Sequence, residues 1–327
     1  MTLPCATLAY LMSYTLVAML QILVAKLASA EGFSIDAASP SVSAGSNSAI
    51  LSSGPVGGPP TVEVLAVSLG LSGGVSDEIN AVTFGAGAPG LTFHFSVDRA
   101  SAGSTGDVVV AAVAGQAAGD LFATDLLGSN SLAINQHSLG LTPSTSSGTP
   151  TLPPVDDLDA FDLFYDGPNA ADLIIYTLET GHPIMGTAVG CGGDLFLSGL
   201  LFFGYAALGL GSCLDDVDAL EIDNASNTIY YSLAPGSPSL LLGTIAGCAA
   251  GCSPADIFSI SAGQPVASVF ATASALGLLP SDNVDALALG SVQPVEPPIT
   301  VPVLGTWGSI LLVGLLAGSI LIRSRRG

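Results

Sequence analysis

The stretch LDDVDALEID, residues 214–223, sets an acidic cluster directly ahead of a short apolar run. The arrangement recurs in SDEINAVTFG at 76–85, VDDLDAFDLF at 155–164 and SDNVDALALG at 281–290. Each copy follows a Leu-Gly-Leu tripeptide, at Leu69-Gly70-Leu71, Leu139-Gly140-Leu141, Leu208-Gly209-Leu210 and Leu276-Gly277-Leu278. Behind the acidic strand comes a second apolar run, in LTFHFSVDRASAG, DLIIYTLETGHPIMG and TIYYSLAPGSPSL, and then a third, opened by GDLFATD, GDLFLSG or ADIFSIS. A last stretch such as VASVFATASALGL leads back to the next tripeptide. Short apolar runs closed by turn formers read as strands, and a period of roughly 60 to 80 residues places several of them in each unit.

The ends of the array carry the topology. Ahead of the first tripeptide, SAILSSGPVGGPPTVEVLAVSLGL aligns with ADIFSISAGQPVASVFATASALGL, so the repeats open in the second half of a unit. After the last tripeptide, SDNVDALALG supplies only a first strand. A closed ring whose chain ends share one unit leaves no exposed sheet edge at the join. These observations predict an all-β domain over 48–290 with units starting near 77, 156, 215 and 282, arranged as a four-bladed β-propeller with one blade shared between the chain ends. A β-sandwich or β-solenoid of the same repeats is the alternative. The unit openings Asp159-Ala160-Phe161 and Asp218-Ala219-Leu220 are similar to the blade starts of hemopexin-like propellers.

Charge is distributed unevenly. All 26 acidic residues lie between Glu31 and Glu296, where Arg99 is the single basic residue. Such a surface repels nucleic acid and favours cations or basic partners. Residues 1–30 hold the apolar run LAYLMSYTLVAMLQILVA followed by Ala28-Ser29-Ala30 and Glu31, a small-residue cleavage pattern that predicts a signal peptide cut after Ala30 and the Sec export machinery as a partner. Residues 31–47, rich in Ser, Ala and Gly, read as a flexible leader, and 291–304 as a Pro-rich stalk. The uncharged run before Arg323, Arg325 and Arg326 predicts one transmembrane helix with a basic tail over 305–327, its arginines cytoplasmic and the repeats outside.

VPVLGTWG followed by an apolar span and RSRR resembles the IPTL-CTERM class of bacterial protein-sorting signals. The correspondence runs through Val301, Pro302, Val303, Leu304, Trp307 and Gly308 to the arginines; Val301 and Val303 stand where Ile and Thr are usual. The resemblance implies recognition by an exosortase-like membrane protease. It also implies a place in the cell envelope or at the surface, membrane-anchored before processing and released after it, and it says nothing of the repeat domain.

Once a signal peptide holding Cys5 is removed, Cys191, Cys213, Cys248 and Cys252 remain, and an even number in an exported chain points to disulfides. Proximity in sequence favours Cys191 with Cys213 and Cys248 with Cys252; a zinc site lacks both the C-x-x-C spacing and a nearby His. The repeated aspartates admit two readings. They cap turns through backbone amides, or Asn80, Asp159, Asp218 and Asp285, equivalent around a ring, converge on Ca2+ or another hard cation. Gly70-Leu71-Ser72-Gly73-Gly74 matches G-x-S-x-G without the strand-to-helix turn or His partner of a nucleophile elbow. His94, His137 and His182 fall at unrelated places in the repeat, and local pairing with Asp98 is expected of Arg99. No catalytic residue emerges. The expectation is a non-enzymatic secreted or envelope protein with a structural, adhesive or matrix role; the alternative is a propeller module that binds a glycan or small molecule. Nothing in the sequence names the extracellular ligand.

Overall fold

The computed structural model describes residues 32–41, 47–54, 58–73, 77–84, 93–141, 157–164, 173–179, 183–184, 188–224, 226–249 and 251–289. They form four antiparallel four-stranded sheets and one short hairpin. Blade 2 is β4 (Ala81–Phe84), β5 (Phe93–Ser96), β6 (Leu121–Thr124) and β7 (Asn130–Ile134), from the inside outward. Blade 3 is β8 (Leu158–Phe164), β9 (Leu173–Leu178), β12 (Leu195–Leu197) and β13 (Leu200–Phe203), with the hairpin of β10 (Pro183–Ile184) and β11 (Ala188–Val189) inserted after β9. Blade 4 is β14 (Ala219–Asp223), β15 (Thr228–Ser232), β16 (Ile257–Ser261) and β17 (Ser268–Ala271). Blade 1 joins the two ends of the described chain: β18 (Val284–Ala288) is its inner strand, and β1 (Gly32–Ile35), β2 (Ile50–Ser52) and β3 (Thr61–Val64) follow outward. The inner strands β18, β4, β8 and β14 each touch those of both neighbouring blades, which closes a four-bladed propeller.

The core lies between blades. One cluster packs Ile50 and Val64 of blade 1 on Phe93, Phe95 and Phe122 of blade 2. A second joins blades 2 and 3 through Ala81, Leu121, Phe161 and Tyr176. A third joins blades 3 and 4 through Ile175, Leu195, Tyr231 and Phe258, and a fourth returns from blade 4 to blade 1 through Ile257, Leu276, Phe33 and Leu287. Phe33, Phe95, Tyr176 and Tyr231 occupy one position of the repeat, on the second strand of each blade, and all four are at most 1% exposed. Burying a side chain of that size contributes about 2–3 kcal/mol.

Polar bonds repeat with the same symmetry. The hydroxyl one residue further along the second strand donates to a carbonyl of the next blade: Ser34 to Ile79 at 2.9 Å, Thr177 to Val217 at 3.0 Å and Ser232 to Val284 at 2.7 Å. Ser96, the fourth member, is buried without a partner. The Leu-Gly-Leu tripeptide ends the helical turn that links one blade to the next. Its leucines are buried, and Gly70, Gly140, Gly209 and Gly277 cap the turn at φ 76 to 78°, where a side chain is strained.

Two features differ from expectation. The second strand of blade 1 is β1, within the stretch 31–47 read as a leader; small residues around it hid Phe33-Ser34-Ile35-Asp36, the counterpart of Phe95-Ser96-Val97-Asp98, Tyr176-Thr177-Leu178-Glu179 and Tyr231-Ser232-Leu233-Ala234. The described part of the chain also lacks the expected membrane span. Among the described residues no helix is long and apolar enough to cross a bilayer. The longest, α1 (Asp107–Ala114), has 8 residues and is about 12 Å long, against a hydrocarbon thickness of about 30 Å. The architecture is corrected accordingly, and the segment 305–327 lies outside the described residues.

Candidate acidic pocket on the propeller axis

The acidic opening of each unit divides its residues between two tasks. The first acidic position caps turns. Asp77 accepts from the amides of Ser72, Ala102 and Gly103 and from the Ser72 hydroxyl. Asp215 accepts from the amides of Ser212 and Ser239 and from the Ser239 hydroxyl, and Asp282 from the amides of Leu279 and Ser41. A further set, Asp120, Asp194 and Asp256, binds the amides of Gln136, Tyr205 and Ala273, where the helical turns begin. Ser72, the serine of the G-x-S-x-G match, is therefore engaged with a turn-capping carboxylate.

The second and fourth positions, with the residue after each second strand, turn toward the axis and line a cavity of about 260 Å³. One set is Asn80, Asp159, Asp218 and Asp285, on or next to the inner strands. A second is Glu78, Asp157, Asp216 and Asn283, two residues earlier; a third is Asp36, Asp98, Glu179 and Ala234, at the ends of the second strands. Only Pro235 is added to these twelve, so nine carboxylates face one small space. All four residues expected at a ring come together there.

Arg99, expected to pair with Asp98, reaches from blade 2 across to blade 3 at the rim of this pocket. Its guanidinium lies 3.1 Å from Asp157 and 3.7 Å from Glu179, both on blade 3. The sole basic side chain of the acidic span thus serves the blade 3 side. On the blade 1 and 2 side, carboxylate oxygens of Asp36, Glu78 and Asp285 all lie within 4.8 Å of one another. Asn283 bridges Asp218 and Asp285 through its Nδ2, at 2.7 Å each. That orientation leaves its buried Oδ1 without a partner, as are Oδ1 of Asp157 and Oδ2 of Asp159.

Burial raises the carboxyls of Asp159, Asp218 and Asp285 well above the ordinary aspartate range, and their acidic neighbours add to it. Burial also lifts Asp157, against the pull of Arg99. Glu78 is pushed up to about 7 by burial, with Asp36 and Asp98 contributing. So many carboxylates lining one small pocket, several of them buried, cannot all stay ionised alone; they take up protons or a cation.

Deeper along the inner strands, Asp162 accepts from the Thr83 hydroxyl at 2.8 Å and the Ile222 amide at 2.9 Å, tying blades 2, 3 and 4 together. Away from the axis, the disulfides pair as proximity indicated: Cys191 with Cys213, and Cys248 with Cys252. His94 lies on β5 and His137 in a helical turn, apart from the pocket lining. His182, the cleavage residues Ala28, Ala30 and Glu31, and the sorting positions 301–308 and 323–326 lie outside the described residues.

The ring reading, confined to one residue per unit, missed Glu78, Asp157, Asp216 and Asn283, two residues earlier in the same acidic openings, and Asp36, Asp98 and Glu179. The signal for the last three was the acidic residue closing Phe-Ser-Ile-Asp, Phe-Ser-Val-Asp and Tyr-Thr-Leu-Glu, which is visible only once the second strands are aligned. Compared with protein-family models, curated proteins and solved structures, the chain matches none. Neither resemblance read from the sequence draws support from those comparisons. Membrane anchoring is overturned for the described residues by the absence of a spanning helix, and nothing in them supports the Sec and exosortase partners or the envelope location expected with it.

Proposed function

We propose that this protein is a non-enzymatic, ligand-binding propeller whose axial pocket takes a divalent cation. The observation that carries the reading is the triad Asp36, Glu78 and Asp285, with carboxylate oxygens within 4.8 Å of one another. Oxygens that each sit 2.3–2.6 Å from one calcium ion are at most about 5 Å apart, so the triad is compatible with one shared divalent cation, and the hard oxygen donors suit calcium or magnesium. The unpartnered Oδ1 of Asn283, adjoining Asp285 through its own Nδ2, supports the same reading. A non-catalytic role is favoured by repetition: the same carboxylates and amides recur around the ring, whereas a catalytic carboxylate pair stands once.

Calorimetric titration with calcium, with magnesium and with sodium chloride of equal ionic strength tests this. A saturable calcium heat is expected, with a gain in stability of about 2.7 kcal/mol at one hundred times the dissociation constant. Asp285→Asn should remove that gain. Melts that coincide in calcium and in sodium chloride would refute the cation site.

A structural role through self-association is the second reading, favoured by the outer edge of blade 3. All four residues of β13, Leu200-Leu201-Phe202-Phe203, are exposed. The other outer edges are guarded: Ala246 bridges Ser268 on β17, Asp107 of α1 accepts from the Leu132 amide on β7, and β3 carries Glu63. Among the described residues no such guard lies on β13, and an exposed apolar edge pairs readily with the same strand of a second copy. Light scattering that gives a monomer at every concentration would remove this reading.

A further inference from the structure

Blade 1 is the one blade assembled from both ends of the described chain, and the three carboxylates of the triad flank its join. Asp36 follows β1, Asp285 sits in β18, and Glu78 stands just ahead of β4 in blade 2. We infer that a divalent cation at Asp36, Glu78 and Asp285 acts as the clasp of the propeller, holding β18 to β1 and to blade 2, so that the ion controls whether the ring is closed. The inference rests on the pocket being a divalent cation site.

In blades 2, 3 and 4 the chain runs continuously from the inner strand outward, so an inner strand that loosens remains tethered to its own sheet. β18 has no such tether to β1. Its attachment is a short antiparallel ladder, Gly32 to Ala288 through Ile35 to Val284, with a register shift between Ser34 and Ile35. A few bonds at the pocket end reinforce it: the Asp36 amide to the Asn283 carbonyl at 3.2 Å, the Asn283 amide to the Ser39 hydroxyl at 2.8 Å and the Ser41 amide to Asp282 at 2.8 Å. The triad lies at this end of the ladder. Without a cation, ionisation of these carboxyls presses β18 away from β1 and blade 2; with one, the same oxygens pull the three segments together. Arg99 supplies the corresponding positive charge between blades 2 and 3, where it binds Asp157 and Glu179. No ion pair to a basic side chain reaches the triad among the described residues, so a bound ion at the join takes the place of the protons that these carboxyls otherwise hold.

Local opening at this join is therefore expected on removal of the ion, before any loss of the other blades. Hydrogen exchange resolved by peptide, on the full chain in calcium and in EDTA at matched ionic strength, reads it directly. Amides of 32–35 and 284–288 should exchange at least tenfold faster in EDTA, while those of 228–232 and 257–261 in blade 4 keep their rates. Asp36→Asn should show the fast exchange at the join in calcium as well; should that variant fail to fold, the comparison of the two wild-type states still decides. Calcium binding by calorimetry with unchanged exchange at the join, or with equal acceleration in all four blades, would overturn the clasp and leave the cation site standing. Absence of any calcium, magnesium or manganese heat would instead overturn the site beneath it.

Discussion

Asp215 and Asp218 stand three residues apart in one acidic cluster and meet opposite environments. Asp215 is fully buried and gives its oxygens to two amides and a hydroxyl of its own connecting loops. Asp218 faces the axis and a single amide side chain, that of Asn283. Replacing Asp215 with Ala strands buried donors, a loss of about 3 kcal/mol or more, and urea unfolding should show it equally with and without calcium. The axial aspartates should act the other way, changing the calcium response more than the calcium-free stability. Asp162 adds a pH effect. Burial lifts its carboxyl to about 6, against an unfolded value of about 3.9. The fold therefore favours its protonated form, and that stabilisation is complete below about pH 4 and lost as pH rises through 6. It amounts to on the order of 3 kcal/mol. Melting temperature in EDTA should fall from pH 4 to pH 7, and Asp162→Asn should flatten the fall; an unchanged slope in that variant would show that Asp162 is not its source.

Strands and turns repeat more faithfully than the residues that fill them. The Leu-Gly-Leu tripeptide was legible as punctuation, and its meaning is geometric, since each glycine reverses the chain in the left-handed region between two buried leucines. At Gly209 an added Cβ would also meet the amide nitrogen of Ala267 at 2.9 Å. Gly209→Ala should therefore cost more than the 1–2 kcal/mol of the left-handed backbone alone, read as a lowered denaturation midpoint. Cys191 and Cys213 are 22 residues apart and join the start of β12's loop to the entry of blade 4. A cross-link of that loop length constrains the unfolded chain by about 3 kcal/mol. The double variant Cys191→Ser, Cys213→Ser should lose about that much, whereas Cys248→Ser with Cys252→Ser, a separation of 4, should lose less. What the strands concealed was β1: four residues, Gly32–Ile35, with too little apolar length to stand out from their small-residue surroundings.

At the scale of the whole molecule, closure concentrates charge. Four inner strands converge on one axis, so whatever precedes them in each unit arrives at the same place. The sequence by itself determined the repeating unit, and it favoured four units with one blade shared between the ends over a sandwich or solenoid of the same repeats, because periodicity and the half-units at the two ends of the array point that way. It also favoured, among three possible pairings, the local disulfides that the structure shows. Tertiary structure alone decided which acidic residues cap turns and which face the axis, since neighbours such as Asp215 and Asp216 are alike in composition and differ only in the direction the turn gives them. It alone brought Asp36, some 250 residues away, beside Asp285. Distance along the chain carries no information about such a meeting until the ring closes, and the electrostatics of the pocket arise from that meeting.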